Sequence, residues 1–304
     1  MPTDYLTAGA RPRTRIGAPF GSLHRPAALQ RSGAEMSTGE AMAERSKAAK
    51  DGRDKLLVWL RDACARYQLE PIAVYRAGNT PKFPLTAKNE IDLQTKLHAG
   101  GHFLPLPKEP AALANVLEVS LSEFLLQELA KAPNSNATRG TERGYPDIEV
   151  TGKAFGDVPH AIDIKCARRK VGATGAVSIN TQSRITLYTG NTYFRYPKLK
   201  WPGTFRPFQD YGSHVSLIAI YTLNEDSHGR IEDLKLIAHE TWRIGSKQRS
   251  STTREYIGAV VSIADLGAGK GEFVTEDAFY AFWRKFNFKI GRTVQQQLDK
   301  LLRG

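Results

Sequence analysis

Two short strand-like runs dominate the middle of the sequence and carry charged residues at fixed places. They span Asp147–Thr151 and His160–Ala167, and Gly152, Gly156 and Pro159 lie between them. Runs that alternate apolar and polar residues and are bounded by Gly and Pro are typical of strands joined as a hairpin. The segment therefore predicts a fold built on a sheet, with the polar positions of the two strands brought together.

Further helices and strands are predicted on both sides of this hairpin. Apolar residues at helical spacing predict amphipathic helices over residues 51–67, 111–132 and 276–286 and a short one near the C-terminus. The continuous apolar run Val215–Leu223 predicts a strand buried on both faces, and residues 234–244 predict another strand. Segments 72–75 and 82–85 favour a second hairpin, and residues 196–208 a long loop. The predicted class is α+β, a mixed central β-sheet flanked by helices.

The composition narrows the function classes. Lys and Arg number 43 against 31 Asp and Glu, so the formal net charge is +12 and an acidic partner is expected, nucleic acid before an anionic membrane surface. The two cysteines, Cys64 and Cys166, exclude a disulfide-rich scaffold and a four-cysteine zinc site, and their apolar neighbours indicate reduced core thiols of a cytosolic protein. No apolar run approaches the roughly 18 residues of a membrane span, so no membrane role is expected.

The first 48 residues differ from the rest. They are rich in Arg and Pro, and their apolar residues follow no period, which predicts a disordered basic tail at 1–48 and one folded domain at 49–304. An Arg-rich, acid-poor segment is also typical of an organelle transit peptide. Alternatively, translation starts at Met36 or Met42.

The predicted hairpin brings together residues suited to a hard divalent cation. In Ile162–Cys166 the apolar side chains point to one face of the strand, so Asp163 and Lys165 share the other. Asp147 lies sixteen positions before Asp163, at the start of the first strand. One or two carboxylates together with substrate phosphate form a typical Mg²⁺ site, and bound metal both neutralises a scissile phosphate and supplies hydroxide.

Two questions stay open at this stage: whether the Asp-x-Lys pattern is part of a site, and whether the Lys165 side chain is charged. An Asp-x-Lys pattern on a strand is also typical of a solvated edge-strand face. Lys165 would hold or deprotonate the attacking water and offset negative charge. Partial burial would lower the pKa of Lys165, whereas the neighbouring carboxylates would keep it charged.

Pro146-Asp147 followed by Asp163-Ile164-Lys165 resembles the signature of the PD-(D/E)XK nucleases, and the spacing is similar to that of the EcoRV family of type II restriction endonucleases. Glu118 stands in a predicted helix at the distance where that family places a glutamate of the active site, with Glu123 and Glu128 as competitors for the role. Residues 208–222 and 269–284 resemble further segments of the family and follow in the same order along the chain.

The resemblance implies a restriction-endonuclease-like core and a homodimeric, Mg²⁺-dependent enzyme of the bacterial cytoplasm. It would cut both strands of a short DNA palindrome and leave 5′-phosphate ends, which the resemblance implies to be blunt. A methyltransferase that it does not stably bind would belong to the same system. Asp147, Asp163 and Glu118 would bind metal, and Lys165 would act on the water. The alternatives are a repair or junction-resolving nuclease of the same fold and a DNA-binding protein without catalysis.

Two segments match DNA-contacting loops of the family in position. Residues 137–144 correspond to the loop that approaches the minor groove, and carry Arg139 and Arg143. Residues 246–255 correspond to the major-groove recognition loop, but differ in sequence from the family pattern, which predicts a different target site. Side chains suited to base readout in this second loop are Arg249, Ser251, Thr252, Thr253 and Arg254. A phosphate contact or a plain solvated loop is the alternative for each of them.

Two remaining groups are less specific. Lys198, Lys200, Trp201 and Arg206 form a basic and aromatic group suited to the DNA backbone, or to an ordinary surface loop. No two histidines stand at metal-ligand spacing, and His214, at the border of an apolar strand, is expected to be a core histidine.

Overall fold

The computed structural model describes residues 38–69, 88–99, 109–141, 144–224, 230–251 and 256–303. The helices in these ranges are α1 (Thr38–Arg66), α2 (Glu90–Ala99), α3 (Pro110–Lys131), α4 (Thr192–Arg195), α5 (Ile263–Ala268), α6 (Glu276–Lys285) and α7 (Arg292–Arg303). None of these described helices combines the length and the apolar character needed to cross a membrane. The tail up to residue 37 and the hairpin expected at 72–75 and 82–85 lie outside the described residues.

The strands form a large mixed sheet and a small sheet. They are β1 (Asn136–Arg139), β2 (Ile148–Thr151), β3 (His160–Val171), β4 (Val177–Thr181), β5 (Thr186–Tyr188), β6 (Ser213–Leu223), β7 (Ile231–Glu240), β8 (Gly245–Arg249) and β9 (Ile257–Ala259). The large sheet has the order β1-β2-β3-β6-β7, with β4 also paired to β3, and the small sheet has the order β5-β9-β8. Strands β3 and β6 are parallel and their neighbours antiparallel. The predicted α+β class with a mixed sheet is confirmed.

The hairpin predicted from the middle of the sequence is strands β2 and β3. Ile148 pairs with Ile162 and Val150 with His160, in antiparallel register. Gly152 follows β2 directly and has a φ of 113°, a value that residues with a Cβ rarely adopt. The sequence therefore permits the chain to reverse direction at this point and return along β2.

Strand β6 lies between two hydrophobic clusters. Val215 and Leu217 belong to the cluster that α1 and α3 cover, whereas Ile218 and Ile220 belong to the cluster that contains the aromatic residues of α6. Successive side chains of a strand point to opposite faces of a sheet. The continuous apolar run is thus explained by burial on both faces, as predicted.

Helix α1 begins at Thr38, which corrects the tail boundary predicted at residue 48 and the helix start predicted at residue 51. Residues 39–47 are exposed and consist largely of Ala, Glu, Lys, Arg and Met. These residues have high intrinsic helix propensity. Because the exposed turns carry no apolar period, a prediction based on periodicity omits them.

Helix α3 matches the predicted span 111–132 within one residue at each end. Pro110 occupies its first turn, and the carboxylate of Glu109 accepts hydrogen bonds from the backbone N–H groups of Ala111 and Ala112 at 3.0 and 2.6 Å. Leu117 and Leu121 are buried in the cluster beneath the sheet. This anchoring fixes the rotation of α3 and hence the direction in which Glu118 points.

Strand β7 ends at Glu240, four residues before the end predicted for that strand. Glu240 pairs with Val215, close to the start of β6, so little of β6 remains for a longer strand to pair with. Residues Thr241–Ile244 form a 3-10 turn instead, in which the Thr241 hydroxyl donates to the His214 carbonyl at 3.2 Å. The irregular stretch predicted for residues 196–208 is confirmed.

His214, near the start of β6, is a core histidine, as predicted. Its side chain is 5% exposed, its ring stacks on Phe208 at a centroid distance of 4.0 Å, and its Nδ1 shares a hydrogen bond of 2.7 Å with Tyr145 Oη. Burial lowers the pKa of His214 to about 3. The ring is therefore neutral in the folded protein near neutral pH.

We expect His214 to make folding sensitive to acid. Because its folded pKa lies below the unfolded value of about 6.5, the unfolded state takes up the proton first, and stability falls as the pH drops from about 6.5 toward 3. The loss at pH 5 amounts to about 2 kcal/mol. Chemical denaturation at pH 7.5 and pH 5 measures it, with His214→Gln as the variant that lacks the titration. An equal pH-dependent loss in both proteins would contradict this role of His214.

Candidate active site

Asp147 and Asp163 meet across the β2–β3 hairpin. The register pairs Ile148 with Ile162, and Asp147 immediately precedes Ile148 while Asp163 immediately follows Ile162. The two carboxylates are therefore near each other, and the Asp147 charge acts on Asp163. Asp147 Oδ2 accepts a hydrogen bond of 2.5 Å from the backbone N–H of Ile164. That bond ties the first carboxylate to the strand that carries the second.

Asp163 and Lys165 form an ion pair on the same face of β3. Lys165 Nζ lies 2.7 Å from Asp163 Oδ2. Burial raises the pKa of Asp163 to about 7, although the Lys165 charge opposes the rise. Oδ2 of Asp163 is buried, and the Lys165 contact does not give it a hydrogen bond of normal geometry. This oxygen therefore keeps a lone pair that a cation can take.

Lys165 stays charged, which decides the question left open by the sequence. Burial by itself would lower the pKa of Lys165, but the negative charges of Asp163, Asp147 and Glu118 outweigh burial and raise it. The side chain is 28% exposed, so its ammonium can reach a bound substrate. A lysine in this state acts as a cation and a hydrogen-bond donor rather than as a free base.

The structure separates the three glutamates of α3. Glu123 is ion-paired with Arg139, and Glu128 is ion-paired with Arg66 and Lys131. Glu118 interacts electrostatically with Asp147 and Lys165 instead, and burial followed by the Asp147 charge raises its pKa. Of the three candidates, Glu118 is thus the one brought to the two aspartates.

A cavity of about 280 Å³ opens between α3 and β3 and is called the active-site cavity below. Its wall consists of Ala114, Glu118, Ile164, Lys165, Cys166, Ala167, Ser183, Arg184, Ile185 and Thr186. Sequence reasoning missed the last four of these residues. In the sequence, these four residues show only an arginine close to a short apolar run. No local pattern distinguishes this arginine from one that is exposed to solvent.

The donor set fits a hard divalent cation held partly by substrate and water. Within the described part of the chain, no group of three or more His, Cys, Asp or Glu side chains is arranged to hold a metal ion alone. Asp147 and Asp163, one of which has a buried oxygen that lacks a well-formed hydrogen bond, could nevertheless provide oxygen ligands. Mg²⁺ is commonly bound by one or two carboxylates together with phosphate and water.

The predicted minor-groove loop begins later than expected. Residues 137–139 belong to β1, which pairs with β2, because Ala137 lies opposite Val150 and packs against the first hydrophobic cluster. Arg139, at the end of β1, is engaged with Glu123. Arg143 lies outside the described residues.

The first residues of the predicted recognition loop belong to a strand instead. Residues 246–249, expected in a loop, lie in β8, which pairs with β9, and Arg249 at its end is exposed. Ser251 follows β8 and is half-buried. Thr252, Thr253 and Arg254 lie outside the described residues.

The basic and aromatic group at 198–206 does not form one surface, which corrects that prediction. Trp201 is buried, and Arg206 donates two hydrogen bonds, of 2.7 and 2.6 Å, to the carboxylate of buried Glu149. Only Lys198 and Lys200 of the four residues are exposed. Arg206 neutralises a carboxylate inside the fold, because a charge buried without a partner is costly.

Comparison with known protein families identifies the family of the chain. A family model described as restriction endonuclease EcoRV matches residues 87–303, a range that contains the two aspartates, Lys165 and Glu118. No individual curated protein matches the chain significantly. Since the family model covers more than half of the sequence, the chain belongs to the EcoRV restriction endonuclease family and is a nuclease with DNA as its substrate.

Proposed function

We propose that this nuclease is a type II restriction endonuclease that hydrolyses both strands of a short DNA palindrome in the presence of Mg²⁺. The observation that carries the proposal is the Asp163–Lys165 ion pair of 2.7 Å on the strand that also holds the Asp147 carboxylate, beside the active-site cavity. Oxygen ligands and a fixed cation at one place are what hydrolysis of a phosphodiester requires.

Each residue of the site has a chemical task in this proposal. Asp147 and Asp163 would hold the metal, with Glu118 assisting. Bound Mg²⁺ polarises the phosphate and lowers the pKa of water. Lys165 donates hydrogen bonds to the attacking water and offsets the negative charge that grows on the phosphate.

The proposal includes a homodimer and a modification partner. A palindrome presents the same sequence on both strands, so two copies related by a twofold axis place one site on each strand. The product would carry 5′-phosphate ends, which we expect to be blunt. A methyltransferase of the same system would protect the host DNA in the bacterial cytoplasm without stable binding to the nuclease.

Plasmid cleavage tests the proposed activity. With Mg²⁺, the full chain should convert plasmid DNA to discrete fragments whose mapped ends define a palindrome and carry 5′-phosphates, and EDTA should abolish the reaction. Asp163→Asn should lower the cleavage rate at least about a hundredfold. Loss of a residue that only hydrogen-bonds to a metal ligand costs about ten- to a hundredfold, and loss of a ligand itself should cost more. The matched control is Asp157→Asn, because Asp157 is exposed and its positive φ also suits asparagine.

Three results would contradict the proposal. A smear, or nicking that depends on DNA structure, indicates a repair or junction-resolving nuclease. DNA binding without cleavage indicates a protein that uses the fold only to bind. Undiminished cleavage by Asp163→Asn refutes the assignment of the site.

Glu118→Gln tests which glutamate serves the site. The change removes a charge beside Asp147 and Lys165 while keeping the shape of the side chain, so the cleavage rate should fall about ten- to a hundredfold. Glu128→Gln on the same helix breaks only surface ion pairs and should stay within about twofold of the wild type. Single-turnover cleavage of a plasmid measures both. A larger loss in Glu128→Gln would reverse the assignment.

A further inference from the structure

Residues 183–186 connect the active-site cavity with the small sheet. Their side chains line the cavity that also contains Glu118 and Lys165. Thr186 begins β5, where it pairs with Gly258 of β9, and its hydroxyl forms a hydrogen bond of 2.7 Å with Ser250 Oγ beyond the end of β8. One short segment therefore lines the active-site cavity and also contacts the hairpin formed by β8 and β9.

Arg184 joins both strands of that hairpin through one guanidinium group. Nη1 donates to the carbonyl oxygen of Ala259 in β9 at 2.6 Å, and Nη2 donates to Gln248 Oε1 in β8 at 2.6 Å. A guanidinium is planar and its donors form a rigid fork. The positions of Ala259 and Gln248 are thereby fixed relative to the wall of the active-site cavity.

The hairpin is shaped to receive this side chain. A Cβ at Gly258 would lie 2.2 Å from Arg184 Cδ, so only glycine leaves room for the arginine stem. At the base of the hairpin, the Glu272 carboxylate accepts hydrogen bonds from Ser246 Oγ and the Lys247 backbone N–H at 3.0 and 2.8 Å. Glu272 thus anchors the base of β8, and the Gln248 contact of Arg184 lies one to two residues further along that strand.

We propose that Arg184 is a positioning residue that couples base recognition by the β8–β9 hairpin to catalysis in the active-site cavity. The inference rests on the proposed function, since it assumes that the exposed end of β8, which includes Arg249, contacts the DNA bases. When this strand engages its target bases, the Arg184 fork transmits the position of β8 and β9 to residues 183–186. Without the fork, the cavity wall no longer depends on whether the bases are correct.

Kinetics on two DNA duplexes test the coupling. The first duplex contains the site mapped for the wild type, and the second differs from it by one base pair. For Arg184→Met, we expect kcat on the mapped site to fall about tenfold with KM nearly unchanged, and the ratio of kcat/KM between the duplexes to fall about tenfold as well. Arg66→Met is the matched control, because Arg66, like Arg184, donates to a backbone carbonyl and to a side-chain oxygen, at 2.9 and 2.8 Å, but does not line the cavity.

A second variant guards against a failure to fold. Gln248→Met removes one end of the fork and leaves Arg184 in place, and we expect it to lower the discrimination between the duplexes in the same direction. Purely structural damage would reduce the melting temperature and the active fraction but leave that ratio unchanged. If both folded variants retain the wild-type ratio, the coupling is refuted. If the wild type does not cleave DNA at all, the proposed function itself fails.

Discussion

The site depends on the hydrogen bond that the Ile164 backbone N–H donates to Asp147 Oδ2. It joins the residue before β2 to the middle of β3, next to Asp163, beside the antiparallel pair of Ile148 and Ile162. Side-chain alternation along β3 puts Lys165 on the face of Asp163. A shift of one residue in this register would send one carboxylate to the opposite face of the sheet.

The electrostatics of the site explain why it favours a cation. Burial raises the pKa of Asp163 to about 7, and burial also raises the pKa of Glu118, so the negative forms are held at a cost. Lys165 offsets part of that cost and keeps its own charge. The chain as a whole carries +12, which favours association with DNA, while Asp147, Asp163 and Glu118 place negative charge at the candidate site. The protein thus combines a net positive charge over the whole chain with negative charge at the site.

The sequence predicts the parts of the structure that local periodicity determines. The β2–β3 hairpin and the two-sided burial of β6 follow from side-chain alternation alone. Glu118 could only be proposed beside Glu123 and Glu128, because the three differ in the tertiary partners that α3 packing gives them. Arg184 and the Arg206–Glu149 pair were not predictable, since each depends on contacts between segments that are distant along the chain.

Asp147 and Asp163 are proposed to form the metal site, and metal binding tests this assignment without reference to cleavage. Electron paramagnetic resonance of Mn²⁺, a substitute for Mg²⁺, measures the bound ion with the full chain and DNA present. We expect Asp147→Asn to weaken Mn²⁺ binding at least about tenfold, while Asp157→Asn binds as the wild type does. Equal Mn²⁺ affinity in Asp147→Asn and the wild type would contradict the account.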